Sequence, residues 1–226
     1  MKRAGRFLLT ALYAILLHLV LLSLILLLTV FRTGFLERES EAYDVAQKLG
    51  MSAAELHDVT EQMMRYVIRG EEIPKEQEFF NGRELEHLAD IRQMMMVWHF
   101  SLGIGMLLLA VMSAFYIRRG GIRRICKSYL YSWLWIAAAG ICLAVIAMTR
   151  LNAFVNGLHR VFFRNNRWIL NPATDRLIWL FPAGLFRDGL FLVLGVGAAV
   201  HLTLMTGALF LLKRDVGSVD NLGEKE

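Results

Sequence analysis

The chain has 226 residues, 56% of them hydrophobic, with 25 Lys and Arg against 20 Asp and Glu for a net charge of +5. Its mean hydropathy is +0.46, and the apolar residues are bunched into long runs, which excludes an ordinary soluble domain. The basic excess collects beside those runs, so it reports membrane topology rather than nucleic-acid binding. The two cysteines, Cys126 and Cys142, are too few for a disulfide framework.

Residues 7–31 read as a first membrane span, preceded by Lys2, Arg3 and Arg6. A bilayer core needs roughly 20 apolar residues of helix, and this run exceeds that. A cleaved signal peptide would have a shorter apolar core and a small-residue cleavage site, so an uncleaved helix is expected. His18 within it is expected to bond a neighbouring helix or backbone.

An acidic outer loop follows, about 32–94, and it is expected to be mostly helical. Ser52 and Glu55 have the spacing of a capping box, and Leu56, Val59, Met63 and Val67 then recur at helical intervals. Gly70 closes that helix and Pro74 prevents an immediate restart. His57 reads as a surface histidine. Asn81-Gly82 is a turn signal, and from Arg83 a helix should run into a second span at 95–117. Glu84, His87 and Asp90 are three apart and share one face of it, which places an orienting carboxylate near the imidazole. His99, one turn into the span, reads as an interfacial residue.

Arg118, Arg119, Arg123, Arg124 and Lys127 form a basic loop at 118–128. With Lys and Arg held inside, that loop, the N-terminus and Lys213-Arg214 are all cytoplasmic. Four spans satisfy these positions together, the third at 129–149 and the fourth at 190–212. Residues 218–226 read as a loose cytoplasmic tail. The expectation is therefore an all-α membrane protein, a single domain over 1–226. It has four transmembrane helices and two extracellular loop regions carrying short amphipathic or interfacial helices.

The second outer region, about 150–189, carries the chemistry. Asn152, Asn156, His159 and Phe163 keep helical spacing, as though the third helix continues past the membrane. Asn165-Asn166 turns the chain, Thr174 or Asp175 caps a short helix, and Pro182 and Gly184 stop it. RLIWLFPAGLF is too short to span and too apolar for an open loop, so it reads as interfacial or re-entrant. Trp168 and Trp179 suit the headgroup level.

Each outer region thus offers one histidine close to a span end. Two imidazoles at the membrane boundary can serve as general base and general acid, since an imidazole ordinarily titrates near neutral pH. Arginines and amides nearby can hold a polar head or an oxyanion, and the Phe and Trp side chains can accept acyl chains. The substrate this describes is a fatty ester with a polar head. No G-x-S-x-G elbow and no H-E-x-x-H helix is present. Ser40, Ser52, Thr33 and Thr174 remain as candidate nucleophiles, and a zinc site from His87, Asp90 and His159 has only generic spacing. The competing readings are a membrane sensor, a small transporter, or a metal-dependent membrane hydrolase.

RELEHLADIR before the second span, and GLHRVFFRNNRWILNPATDRLIWLFP after the third, resemble the bacterial lipoprotein intramolecular transacylases, the Lit family. The resemblance covers nearly the whole chain. It implies an enzyme of the bacterial cytoplasmic membrane acting at the outer leaflet on diacylglyceryl lipoproteins. Such an enzyme moves the sn-2 acyl chain to the α-amine of the N-terminal cysteine, without cofactor or external acyl donor. The product is a lyso-form, N-acylated lipoprotein. By motif the essential histidines map to His87 and His159, with Glu84, Asp90, Asn156, Arg160, Arg164, Trp168 and Asp175 as candidate orienting or substrate-binding residues.

Overall fold

The computed structural model describes residues 3–73, 79–119 and 121–223, with side chains left aside at 3, 4, 6 and 215–223. The expected helix stop at Pro74 and the basic residue Lys2 lie outside the described residues. Nine α-helices are described: α1 (Arg3–Leu28), α2 (Thr33–Ala42), α3 (Val45–Leu49), α4 (Ala53–Met64), α5 (Gly82–Arg118), α6 (Ile122–Thr149), α7 (Leu151–Phe162), α8 (Leu177–Leu180) and α9 (Ala183–Gly223). A π-helical turn, Arg65–Arg69, follows α4. Among the described residues there is no strand.

Four helical stretches are long and apolar enough to cross a membrane: Phe7–Leu28, Gly82–Arg118, Ile122–Thr149 and Leu177–Arg214. Their large side chains face outward. Phe7, Leu107, Trp135 and Phe210 are all more than 60% exposed, which water would penalise and acyl chains do not. α1 stops at Leu28, short of the expected 31, whereas the other three long helices outrun the expected spans. α6 begins at Ile122, so Arg123, Arg124 and Lys127 sit on its first turns rather than in a loop. The backbone of α9 stays helical to Gly223, beyond the expected start of a loose tail at Ser218.

Packing groups the chain into two units. The first comprises Met1–Ile25, Leu102–Leu143 and Val193–Glu226. Within it, side-chain hydrogen bonds cross between helices: Thr10 with Tyr116 at 2.9 Å, Tyr13 with Ser113 at 3.0 Å, and Tyr129 with His201 Nδ1 at 2.9 Å. His18 bonds Ser132 at 2.8 Å, the neighbouring-helix partner expected for it. Polar pairs of this kind fix helix neighbours where lipid supplies no hydrophobic drive.

The second unit comprises Leu26–Ser101 and Ala144–Leu192, and it carries most of both polar regions, 32–94 and 150–189. Its core contains Phe35, Val45, Leu56, Val59, Met63, Val67, Phe79, Leu88, Met95, Leu177 and Leu180. The apolar stripe expected on α4 is therefore its buried face. Ser52 caps α4 through a complete capping box with Glu55, and Gly70 ends the π-helical turn at φ 76°, a left-handed conformation that favours glycine. His57 lies on the surface, where Nδ1 meets Glu37 at 2.9 Å. His99 bonds the carbonyl of Met95. The third helix does not run on unbroken as its spacing suggested. Arg150 leaves helical geometry at φ −143°, ψ 56°, and α7 restarts after it.

Candidate active site

The site is built within the second unit from α5, α7, the segment after α7, and the start of α9. Its foundation is the first turn of α5. Asn81 and Glu84 form a reciprocal cap: the Asn81 side chain accepts the Glu84 N–H at 3.0 Å, and the Glu84 carboxylate accepts the Asn81 N–H at 2.7 Å. The spacing Asn-x-x-Glu is a sequence signal for this arrangement, although Asn81-Gly82 reads more simply as a turn. Glu84 is 1% exposed, and its other oxygen accepts the N–H of Leu177, at the start of α8, at 2.5 Å. The short helix α8 is therefore capped by a carboxylate 93 residues away, and not by Thr174 or Asp175.

Asp175 has a different task. It is 4% exposed and accepts hydrogen bonds from the Asn171 N–H at 2.6 Å, the Asn81 amide at 2.8 Å and the Thr174 hydroxyl at 2.9 Å. Burial pushes its carboxyl upward. The bonds from Asn171, Asn81 and Thr174, together with the charge of Arg83, outweigh that and hold it below the ordinary aspartate range.

Two turns further along α5, Asp90 accepts the Asn165 amide at 2.8 Å and Arg167 at 3.1 Å. Arg167 also reaches Glu86 at 3.0 Å. The face shared by Glu84, His87 and Asp90 is therefore real, and its two carboxylates grip the segment 165–177. Neither is hydrogen-bonded to His87.

His87 lies between these grips, 4% exposed, and its Nδ1 is buried without a hydrogen-bond partner among the described residues. The ring of His159 is 6.0 Å away, centroid to centroid. His159 Nδ1 lies 2.8 Å from the carbonyl of Val155, one turn back on α7. A carbonyl only accepts, so Nδ1 carries the hydrogen, and Nε2 of the neutral ring is left with its lone pair. That is the tautomer of a general base.

Aromatic rings enclose the pair. Trp168 stacks on His159 at 5.0 Å, and Phe186 meets His159 edge-on at 5.9 Å. Phe163 touches both imidazoles, at 5.0 Å from His87 and 5.9 Å from His159. The remaining candidates stand outside this cluster. Asn156, Arg160 and Arg164 are exposed, and none of them has an ion-pair partner among the described residues. Asn81, Asn165, Phe163 and Phe186 join the site without having been named as site residues. Apart from the local Asn81 cap and the spacing of Phe163 from His159, their contributions are contacts between distant segments, which spacing along one chain does not reveal. Among the described residues, no three of His, Cys, Asp and Glu converge as a metal-ligand set.

Two expectations follow. Glu84→Gln sets an amide N–H₂ against a backbone N–H, and leaving such a buried group unsatisfied costs about 1–3 kcal/mol. Thermal unfolding of the detergent-purified variant should show a lower Tm. For Asp175, whose folded pKa is depressed, the stabilisation is present above the ordinary aspartate range and lost as pH falls through the folded value. The Tm gap between the native protein and Asp175→Asn should therefore be open at neutral pH and close on acidification below about 4.

A model of the family described as lipoprotein intramolecular transacylase Lit matches residues 11–186. Comparison with solved structures finds the membrane integral lipoprotein intramolecular transacylase Lit from Bacillus cereus. It is 12% identical, with a TM-score of 0.71 over 98% of this chain and 100% of that one. A form of the Bacillus cereus protein with a histidine-to-alanine substitution matches at 13% identity and a TM-score of 0.76, over 94% of this chain and 96% of the other. A histidine-to-arginine form gives 13% and 0.71, over 95% and 96%. At such identity these structures establish the fold. Comparison with curated proteins gave no match. The family match spans well over half of the sequence, and the chain belongs to the Lit family of lipoprotein intramolecular transacylases.

Proposed function

We propose that His87 and His159 are the catalytic groups of an O-to-N acyl transfer on the diacylglyceryl-modified N-terminal cysteine of bacterial lipoproteins. The observation that carries this reading is the approach of the two imidazoles to 6.0 Å, with the His159 tautomer fixed by Val155.

The substrate amine has a pKa of about 8 and must lose a proton to attack. The first proton of the ammonium goes to solvent; as the neutral amine nitrogen bonds to the sn-2 carbonyl carbon it becomes cationic, and His159 Nε2 takes a second proton from it. His87 donates a hydrogen bond to the oxyanion that forms. A buried, unbonded N–H is rarer than an unbonded acceptor, so its proton belongs on Nε2 with the sealed Nδ1 as the bare nitrogen. The carbon–oxygen bond to glycerol then breaks, and the His159 imidazolium returns its proton to the leaving oxygen. The product is the lyso-form, N-acylated lipoprotein. Ester and amine belong to one molecule, so holding them at attack distance supplies much of the rate. Oriented intramolecular reactions gain on the order of 7–11 kcal/mol.

Asn156, Arg160 and Arg164, exposed on α7 and the segment after it, are assigned to the polar part of the substrate. The basic residues Arg118, Arg119, Arg123, Arg124, Lys127, Lys213 and Arg214 orient the protein with both termini in the cytoplasm and the histidines at the outer leaflet. A metal-dependent hydrolase is less well supported, because Asp90 is committed to Asn165 and Arg167.

Mass spectrometry of lipoprotein N-terminal peptides, from cells with and without this protein, tests the reading. With it, an acyl chain should move from the sn-2 oxygen to the amine. His87→Ala and His159→Ala should each lower the transfer rate by about 10²–10⁴, the usual worth of general acid–base catalysis, while the proteins remain in the membrane. A chelator should leave the native rate unchanged. An acyl chain still on the glyceryl oxygen in the presence of the native protein would contradict the reading.

A further inference from the structure

A bare imidazole nitrogen does not choose its nucleophile. His159 Nε2 can deprotonate water as well as an amine, and at neutral pH most of the substrate amine is still protonated. A wet site would therefore set water in competition with the amine for the ester. What surrounds His159 bears directly on this competition.

His159 is already oriented by its bond to Val155, and three aromatic rings still lie against it. Trp168 is nearly parallel to the imidazole, at 27°, and covers one face of it. Phe186 and Phe163 close in at 5.9 Å each, and Phe163 continues across to His87. An ordered water needs two to four polar partners. Phenyl walls supply none, and His87 Nδ1, the sealed polar atom nearby, has no partner among the described residues. His159 is half-buried, and the rings that cover it supply no polar partner to a water on those sides.

We propose that Trp168 is a specificity-determining residue that excludes water from His159 and commits the ester to aminolysis. The proposal rests on the transacylase reading. In the reaction it suppresses, a water oxygen bonds to the acyl carbon and the bond from that carbon to the glyceryl oxygen breaks. One water proton passes through His159 Nε2 to the glyceryl oxygen. A free fatty acid then leaves, and the lyso-lipoprotein keeps its free amine. In the committed reaction the same bond breaks and the acyl group stays on the molecule, on nitrogen.

The test is a product ratio. Full-length protein in nanodiscs is given a synthetic diacylglyceryl lipopeptide, and N-acyl lyso-lipopeptide is counted against free fatty acid plus free-amine lyso-lipopeptide. Trp168→Ala should raise the hydrolysed fraction several-fold over the native enzyme, and Trp168→Phe should restore it toward the native ratio. If Trp168→Ala is lost from the membrane, Phe186→Ala opens the same enclosure and should shift the ratio in the same direction. A folded Trp168→Ala or Phe186→Ala variant that is slower with an unchanged ratio overturns the proposal. A native enzyme that makes no N-acyl product overturns the transacylase reading, and this proposal with it.

Discussion

The second unit depends on one buried carboxylate. Glu84 receives the N–H of Asn81, at the start of its own helix, and the N–H of Leu177, at the start of α8. A charge this deeply buried is tolerable because both oxygens are met by backbone donors that would otherwise be orphans of two helix ends. The bond to Leu177 ties the helix carrying His87 to the segment that follows the helix carrying His159. Asn81 extends the tie to Asp175, and Asp90 adds a second one through Asn165 and Arg167. His87 lies one turn from each carboxylate. It therefore faces the segment they hold, and the flanking acids act as anchors for the imidazole's surroundings.

The roles proposed for the two histidines rest on their local bonds. His159 has one nitrogen assigned by its own helix and one left free. His87 has a nitrogen sealed in apolar packing. Neither arrangement needs the substrate in order to form, so little reorganisation remains for the reaction step, which is where preorganised polar groups give most of their benefit. The first unit uses its histidines differently. His18 and His201 are each bonded to a residue of α6, Ser132 and Tyr129, as interhelical polar ties.

Much of this was legible in the letters. The four apolar runs gave the spans, the Ser52–Glu55 spacing gave the start of α4, and the three-residue interval from Glu84 to Asp90 gave a shared helix face. What spacing could not convey was the partner of each group on that face. Glu84 and Asp90 read as companions of His87 because they are near it in sequence, yet they bond atoms 93 and about 75 residues away. The break at Arg150 was also invisible, since the apolar periodicity runs through it and no Pro or Gly marks it. Phe163 showed only its helical spacing from His159 and Phe186 only its apolar character, because an aromatic enclosure exists only once α7 and the start of α9 are packed together.

The central claim is that His87 and His159 act as one unit on one ester, and a double-mutant cycle tests it most directly. Transfer rates are measured for His87→Ala, His159→Ala and the double variant on the same lipopeptide. Residues that act together are strongly non-additive, so the double variant should be about as slow as the slower single variant. Losses that simply multiply, or a double variant that still transfers the acyl chain near the native rate, would contradict it.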